Sequence, residues 1–377
     1  MLQLKDICVI DWGNTSLTKK AYEVDGAYLA VSATGADGKI SHYEHEADVC
    51  VLSAIGAQCG KMFFPQQRFT AIKNTITLTP NRELVDSKYL YYLFTHIELP
   101  KRGAAQPFIS KGDIEKFELP HLPPLAEQQR IVAKLDAAFA EIDRAVEACE
   151  SEIEQSNHLF DSLVFERFTK SDDDGEAVAL KELTKELLTG PFGSALHKSD
   201  YVDDGVAVIN PQNLIGGEIV PSDGKFITEK KFEELKRYQL EENDIVIARR
   251  GEMGRCALVK ASKQRMICGT GCMILRVNDD CSAEFVAELI KSNYVRSALE
   301  KGAIGATMLN LNQGILLGVK VQAKTIQQQR QNTSYIAQAR KVVNDYKGFK
   351  SLKSAKLEAL KSAILAQELQ PPQSEAA

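Results

Sequence analysis

Residues Pro123–Phe168 read PPLAEQQRIVAKLDAAFAEIDRAVEACESEIEQSNHLFDSLVFERF, and after Pro124 the run contains neither proline nor glycine. Its apolar side chains recur at Val132, Leu135, Phe139, Ile142, Val146, Cys149, Ile153, Ser156, Phe160 and Leu163, in alternating steps of three and four, with Ser156 the one polar member. Such a stripe predicts a long helix whose seam packs on another helix. At about 1.5 Å per residue, the roughly 42 residues from Glu127 form a rod on the order of 60 Å long. A rod of that length is a spacer rather than the core of a compact domain, and it needs a partner.

The partner is found by looking for internal repetition. Tyr22–Gly26 (YEVDG) matches Tyr201–Gly205 (YVDDG), and Gly38–Ile40 (GKI) matches Gly217–Ile219 (GEI), both at an offset of 179. Asp48–Leu52 (DVCVL) matches Asp244–Ala248 (DIVIA) at 196, so the second copy carries extra residues between these points. Gln67–Arg68 matches Gln264–Arg265, and Gln128–Arg130 matches Gln328–Arg330 at 200. The chain therefore contains two units, each a mixed module followed by a long helix.

The second helix, over residues 326–368, continues the design less regularly through Ile336, Val343, Tyr346, Leu357, Leu360 and Ile364, with Phe349 and Leu352 on a drifting stripe. Lys350 and Lys353 occupy places where a strict seam would be apolar. Two striped helices separated by a module pack most simply on each other, and the bridging module lets them run antiparallel. The expected fold is α+β: two β-rich modules, each followed by a helix of about 40 residues, with internal pseudo-two-fold symmetry. The predicted boundaries are 1–124 for the first module, 125–170 for its helix, 171–178 for a linker, 179–325 for the second module, 326–368 for its helix and 369–377 for a disordered tail. Strands are expected over 27–32, 48–54, 70–78, 207–210, 244–248 and 266–277, and short helices over 87–95 and 283–292.

Composition sets further bounds. A chain of 377 residues with 26% charged and 44% hydrophobic side chains is an ordinary globular protein with room for several cores. No apolar run is long enough to span a bilayer, and the N-terminus carries Asp6 and Asp11 where a signal peptide would be cationic and apolar, so a cytoplasmic protein is expected. The eight cysteines lack zinc spacing; Cys268 and Cys272 read as reduced, buried thiols. The six histidines form no helix-spaced pair, and no metal site is expected. A net charge of −5 argues weakly against nucleic acid, yet an acidic chain can still present a local basic groove.

No catalytic constellation emerges. A phosphate-binding G-x-x-x-x-G-K-[ST] loop is absent, and Gly190–Gly193 lacks the strand–turn–helix setting of a nucleotide site. Asn210–Asn213 (NPQN) lacks the aromatic that an adenine methyltransferase motif would place against a flipped base, and reads as a turn. What the modules do offer is groups suited to base edges and phosphates. Arginine bridges guanine O6 and N7, and Asn or Gln suits adenine. The candidates are Lys61, Arg249, Arg250 and Arg255, together with Asn74, Gln106, Gln212, Asn213, Asn310 and Asn312.

The junction LPPLAEQQRIVAKLD resembles the conserved region of specificity subunits of type I restriction–modification enzymes. Gly190–Ser194 (GPFGS) followed by Tyr201 and Gly205, and Leu360–Leu365 (LKSAIL), are similar to other segments of that family. The resemblance covers essentially the whole chain, including its duplicated order. It implies that each module is a target recognition domain reading one half of a split double-stranded DNA sequence, and that the helices form an antiparallel coiled coil fixing their separation. It also implies docking of two modification subunits, which bind S-adenosylmethionine and methylate adenine N6, and of restriction/translocase subunits, with no catalysis and no cofactor in this chain. The docking candidates at the junctions are Glu127, Gln128 and Arg130, with Gln328 and Arg330 in the second copy. That second junction departs from the pattern: it lacks the proline pair and has Gln327 where the first has Glu127. The alternative from another class is a coiled-coil adaptor that binds only proteins.

Overall fold

The computed structural model describes residues 2–119, 121–169, 177–221, 225–262, 264–302 and 311–370. The chain divides into two compact units, Met1–Glu150 with Lys350–Ala377, and Ser151–Phe349. Each unit therefore owns one module and half of each long helix.

Unit 1 contains β1 (Cys8–Trp12), β2 (Tyr28–Ser32), β3 (Gly35–Ile40), β4 (Cys50–Ser53), β5 (Met62–Phe63), β6 (Phe69–Ala71), β7 (Thr75–Pro80), α1 (Ser87–His96) and α2 (Lys111–Glu115). These are followed by the long helix α3 (Leu125–Thr169). One antiparallel sheet has the order β1-β7-β4-β5, and a second, β3-β2-β6, pairs β2 with β6 in parallel.

Unit 2 repeats this plan. It contains β8 (Ala177–Ala179), β9 (Thr184–Thr189), β10 (Tyr201–Val202), β11 (Val206–Ile209), β12 (Leu214–Ile215), β13 (Glu218–Ile219) and β14 (Phe226–Ile227). Next come α4 (Glu229–Glu234), β15 (Ile245–Ala248), β16 (Cys256–Leu258), β17 (Met266–Cys268), β18 (Cys272–Val277), α5 (Ala283–Lys291), α6 (Asn293–Gly302), α7 (Gln313–Leu317), β19 (Lys320–Gln322) and the long helix α8 (Ile326–Glu368). Its main sheet, β16-β15-β18-β9, matches β5-β4-β7-β1, and the parallel β11–β17 pair matches β2–β6. The strand that takes the place of β3 is β14, which pairs with β11, so the Gly38–Ile40 and Gly217–Ile219 match is not a structural one. The hairpin β12–β13, which holds Gly217–Ile219, and helix α4 are what the second copy adds.

Two expected strands each split. Residues 70–78 divide into β6 and β7, members of different sheets, because Asn74 takes a left-handed conformation (φ 72°) that no strand contains. Residues 266–277 divide at Gly269–Gly271 into β17 and β18. The first strands of the main sheets, β1 and β9, escape sequence reading because in β1 the exposed Val9 and Trp12 are apolar, and in β9 Lys185 and Glu186 stand side by side. The repeat also closes in a different register from the sequence match: Asp48 and Asn243 are the equivalent left-handed residues, with φ of 63° and 71°.

Within each unit the module packs on the helices through one short helix. In unit 1 the buried face of α1 (Tyr89, Leu90, Leu93, Phe94) joins Leu52, Ile76 and Leu78 of the sheet to Ile131, Leu135, Leu365 and Leu369 of the long helices. In unit 2, Phe285, Val286, Leu289 and Ile290 of α5 join Ile247 and Met273 to Val164, Phe168 and Ile336. The helix segments run antiparallel inside each unit. Lys134 and Asp143 pair with Glu368 and Lys361 in unit 1, at 2.6 and 2.5 Å. Glu152 meets Tyr346 in unit 2 at 2.7 Å, and the Arg167 guanidinium covers the Tyr335 ring at 4.2 Å.

On α3 the expected seam is the inward face: Leu135, Ile142 and Cys149 are buried, and Val132, Phe139, Val146, Ile153, Phe160 and Leu163 are half-buried. On α8 the seam needs correction. Ile336, Val343, Leu357 and Ile364 lie inward, but Tyr346 and Leu360 are 38% and 47% exposed, and Phe349 and Leu352 are exposed as well. The inward stripe instead runs Ile336, Arg340, Val343, Lys347, Lys350, Ser354, Leu357, Lys361, Ile364 and Glu368, in alternating steps of four and three. Lysine stems supply its apolar cover, so a search for apolar letters slips by one position at Tyr346 and Leu360.

A buried glutamine fixes the start of each long helix. Gln128 is 0% exposed; its Oε1 accepts the Asp86 N–H at 2.8 Å, and its Nε2 donates to the carbonyls of Leu84 (3.0 Å) and Pro123 (2.8 Å). Asp86 is itself the N-cap of α1. In unit 2, Gln329, 1% exposed, accepts from the N–H of Ser282, the N-cap of α5, at 2.8 Å and donates to the Lys324 carbonyl at 2.8 Å. The structural counterpart of Gln128 is thus Gln329 rather than Gln328. Gln328 closes a capping box with Thr325, accepting its N–H at 2.9 Å while its own N–H donates to the Thr325 hydroxyl at 3.3 Å.

The C-terminal boundary shifts slightly, since Leu369 packs into the unit 1 core and so does not belong to the expected tail; residues 371–377 lie outside the described residues, as does most of the expected linker. Gln128→Ala removes the side-chain partner of the Asp86 N–H and of the Leu84 and Pro123 carbonyls, and the expected loss of unfolding free energy is about 2–4 kcal/mol. Urea denaturation followed through Trp12, the only tryptophan and a unit 1 residue, checks this. Arg130→Ala, which removes an exposed pair with Glu127, is expected to leave the same curve unchanged.

Candidate nucleic-acid interface

In unit 2, four loops at one end of the sheets meet. They follow β9 (Gly190–Phe192), β11 (Asn210 and Pro211) and β15 (Arg249 and Arg250), and join β17 to β18 (Gly269–Gly271). Backbone hydrogen bonds hold them together: Gly190 N–H to Cys272 O at 2.9 Å, Gly269 N–H to Ile209 O at 2.8 Å, and Arg249 N–H to Gly271 O at 2.9 Å. Contact is close enough to demand glycine. A Cβ on Gly190 would lie 2.0 Å from the Gly269 carbonyl oxygen, and one on Gly269 would lie 2.4 Å from Asn210 Oδ1. The loops surround an open cavity of about 660 Å³, lined by Thr189, Phe192, Asn210, Pro211, Arg249, Arg250, Thr270 and Gly271.

Arg249 is half-buried, its Nε donating to the Leu311 carbonyl at 3.4 Å, so its guanidinium is oriented from behind. Arg250 is exposed, and among the described residues no carboxylate pairs with it. A guanidinium held by its neighbours and a free one side by side provide the directional and the diffuse forms of cation that base edges and phosphates take. Arg255 folds back against Gly251, and its Nε is enclosed without a hydrogen-bond acceptor among the described residues. Cys268 and Cys272 lie beneath the loops, and burial pushes both thiols up, that of Cys272 to about 12. Among the described residues no three His, Cys, Asp or Glu side chains gather as a metal site would require.

The remaining candidates sort differently. Gln212 is exposed beside the cavity-lining Pro211. Asn213 is buried and structural: its Oδ1 accepts the Asn210 N–H and its Nδ2 donates to the Val220 carbonyl, both at 3.0 Å, so its amide edge is committed to the turn. Asn312 caps α7, accepting the Ile315 N–H at 2.9 Å. Asn310 lies outside the described residues. Phe192, Asn210, Pro211 and Thr270 join the cluster although base-reading chemistry did not nominate them; the Gly190–Gly193 motif was the available signal.

The corresponding end of unit 1 has another chemistry. Gly13 takes the place of Gly190, its N–H donating to Thr75 O at 2.9 Å, and Asn74 takes that of Gly271, its carbonyl accepting from Ala54 N–H at 3.0 Å. The asparagine at 74 is therefore explained by its left-handed turn. Ala54 and Ile55 stand where unit 2 has Arg249 and Arg250. Lys61 is exposed, its Nζ 5.7 Å from the Phe63 ring, and Gln106 is exposed on a separate loop. Nearby, Asp37 gathers hydrogen bonds from Lys19 (2.6 Å), Tyr22 (2.6 Å), Ser32 (2.9 Å) and Thr34. Burial alone would raise the Asp37 pKa; the hydrogen bonds outweigh it and hold the carboxyl well below its usual range. Burial and the Asp37 carboxylate push the Tyr22 phenol up.

Comparisons with known proteins fit this architecture. Residues 1–155 match the family model described as the type I restriction modification DNA specificity domain. A Methanocaldococcus jannaschii sequence described as the type I restriction enzyme MjaX specificity subunit is 24% identical over 311 residues, covering 78% of this chain and 69% of its own length. Among solved structures, a chain from a study of complex assembly and conformational transition of the type I R-M system superposes with a TM-score of 0.73 at 17% identity, covering 97% of this chain and 96% of its own. The HsdS subunit from Thermoanaerobacter tengcongensis gives 0.55 at 18%, covering 97% and 95%. In fold over nearly its whole length, and in sequence over residues 1–155, the chain is similar to the specificity subunits of type I restriction–modification systems. Nothing in these comparisons supports the adaptor alternative. Among the described residues no helix is long and apolar enough to cross a membrane.

The Asp37 cluster has a signed consequence. Its folded-state pKa lies below the ordinary 3.8, so its stabilisation is complete above that value and is lost as pH falls toward the depressed one. Asp37→Asn is expected to lower the denaturation midpoint of unit 1 at pH 7. The gap from the native chain should close as pH drops below about 4, as read by Trp12 fluorescence.

Proposed function

We propose that this chain is the DNA sequence-recognition subunit of a type I restriction–modification enzyme, reading a bipartite double-stranded target with one half assigned to each unit. The observation that carries the reading is the duplicated plan itself: two modules of one topology, each closed by half of both long helices, carrying different chemistry at equivalent loop ends. Different loop chemistry on a repeated frame suits a target whose halves differ in sequence.

One module making a few base contacts, each worth about 1–3 kcal/mol of discrimination, would select poorly among genomic sites. Joined through stiff helices, the second contact becomes intramolecular, at an effective concentration set by geometry. Two modification subunits, binding S-adenosylmethionine and methylating adenine N6, are assigned to the helical regions, with restriction/translocase subunits joining them; the chemistry is theirs. Half-buried Glu127 and exposed Arg130 and Arg330 at the helix starts are available to such partners, whereas buried Gln128 holds the junction's shape.

Mapping N6-methyladenine across a host genome with and without this gene tests the reading. A split, asymmetric motif that disappears with the gene is expected; identical maps would contradict it. In the same assay Arg249→Ala and Arg250→Ala are expected to relax one half of the motif and leave the other intact. Equal loss in both halves would mean that these side chains act through phosphates or the fold.

A further inference from the structure

Phe192 is 65% exposed although its neighbours are anchored on both sides. Pro191 before it is buried, the Gly190 N–H is bonded to Cys272 O, and Leu196 after it sits in a hydrophobic cluster of unit 2. Gly193 takes a left-handed turn (φ 61°) with open space around it. A loop pinned in this way could bury an apolar ring by a small adjustment, yet the ring lines the cavity beside Arg249 and Arg250. Unit 1 does not repeat this placement: its exposed Trp12 ends β1, directly before Gly13, the counterpart of Gly190, and so corresponds to Thr189.

Resting on the recognition reading above, we propose that Phe192 is a specificity-determining wedge, its ring entering a base step of the half-site that unit 2 reads while the two arginines hold the strand. An aromatic face flanked by cations and carried on a rigid loop is the combination that unstacks or caps bases. The arginines hold the loop against the duplex, and the ring then gains only where a step opens easily. Pyrimidine–purine steps open most readily, so preference at the wedge position would come from deformability rather than hydrogen bonding. The wedge is a positioning contact; it takes no part in methyl transfer.

The test uses the full chain assembled with its modification subunits and duplexes carrying the mapped target. 2-Aminopurine is placed at successive positions of each half, away from the methylated adenine. The native complex is expected to raise fluorescence at one step in one half. Phe192→Ala should abolish that rise and weaken binding about tenfold with an unchanged salt slope, whereas Phe192→Leu, which keeps an apolar wedge, should retain most of both. Arg250→Ala should instead keep the fluorescence rise while relaxing base preference in that half. Native affinity and fluorescence in Phe192→Ala, or loss of the unit 2 fold by circular dichroism, would overturn the wedge while leaving the recognition reading intact. Absence of any sequence-dependent binding by the native complex would overturn that reading, and the wedge with it.

Discussion

Neither unit can close its hydrophobic core without both long helices, and the rest of the structure follows from that constraint. Unit 1 takes Ile131 and Leu135 from α3 and Leu365 and Leu369 from the far end of the chain; unit 2 takes Val164, Phe168 and Ile336. A helix of 45 residues has a stripe too long for one module to cover, so it is covered by the helix of the other copy. The module nearest in sequence is joined to that pair by one short helix, α1 or α5, whose N-cap is held by a buried glutamine. Recognition loops at the sheet ends are thereby tied, through rigid elements, to the helices.

Duplication preserved the backbone frame and released the side chains. The frame is kept by groups with no freedom: the glutamine that receives a cap N–H, the glycine pressed against a carbonyl, and the left-handed residue before the third strand of the main sheet. Elsewhere equivalent positions diverge. Where unit 1 packs Tyr92 edge-on against Phe139 and bonds its hydroxyl to Asp136, unit 2 places Glu288 against Arg340. The loop ends differ in the same way, a carboxylate locked by hydroxyls and lysine in unit 1 against two arginines and an exposed phenylalanine in unit 2. Each exchange substitutes one satisfied set of contacts for another, so the frame tolerates it.

Much of this was legible in the chain. The α3 stripe is visible because its inward residues are apolar; that of α8 is blurred because lysine stems do the covering, and reading apolar letters moves Tyr346 and Leu360 to the seam when Lys347 and Lys361 are there. Glutamines at the helix starts advertise themselves as surface groups, and their burial is apparent only once α1 and α5 supply N–H donors. Asn213 and Asn312 look like base readers by type, yet local turns and caps claim them, because short polar side chains bond their own backbone before anything distant. The Gly190–Gly193 motif was visible but its role was not, since close approach of Gly190 to Gly269 is a three-dimensional fact.

The proposed function rests on a mechanical premise, that continuous helices would set the distance between two readers of different sequence. Removing one heptad from α3 and the opposing heptad from α8 and mapping the methylated motif tests it most directly. The account predicts the same two half-site sequences with a shorter unread interval between them. An unchanged interval, with both halves still recognised, would contradict it.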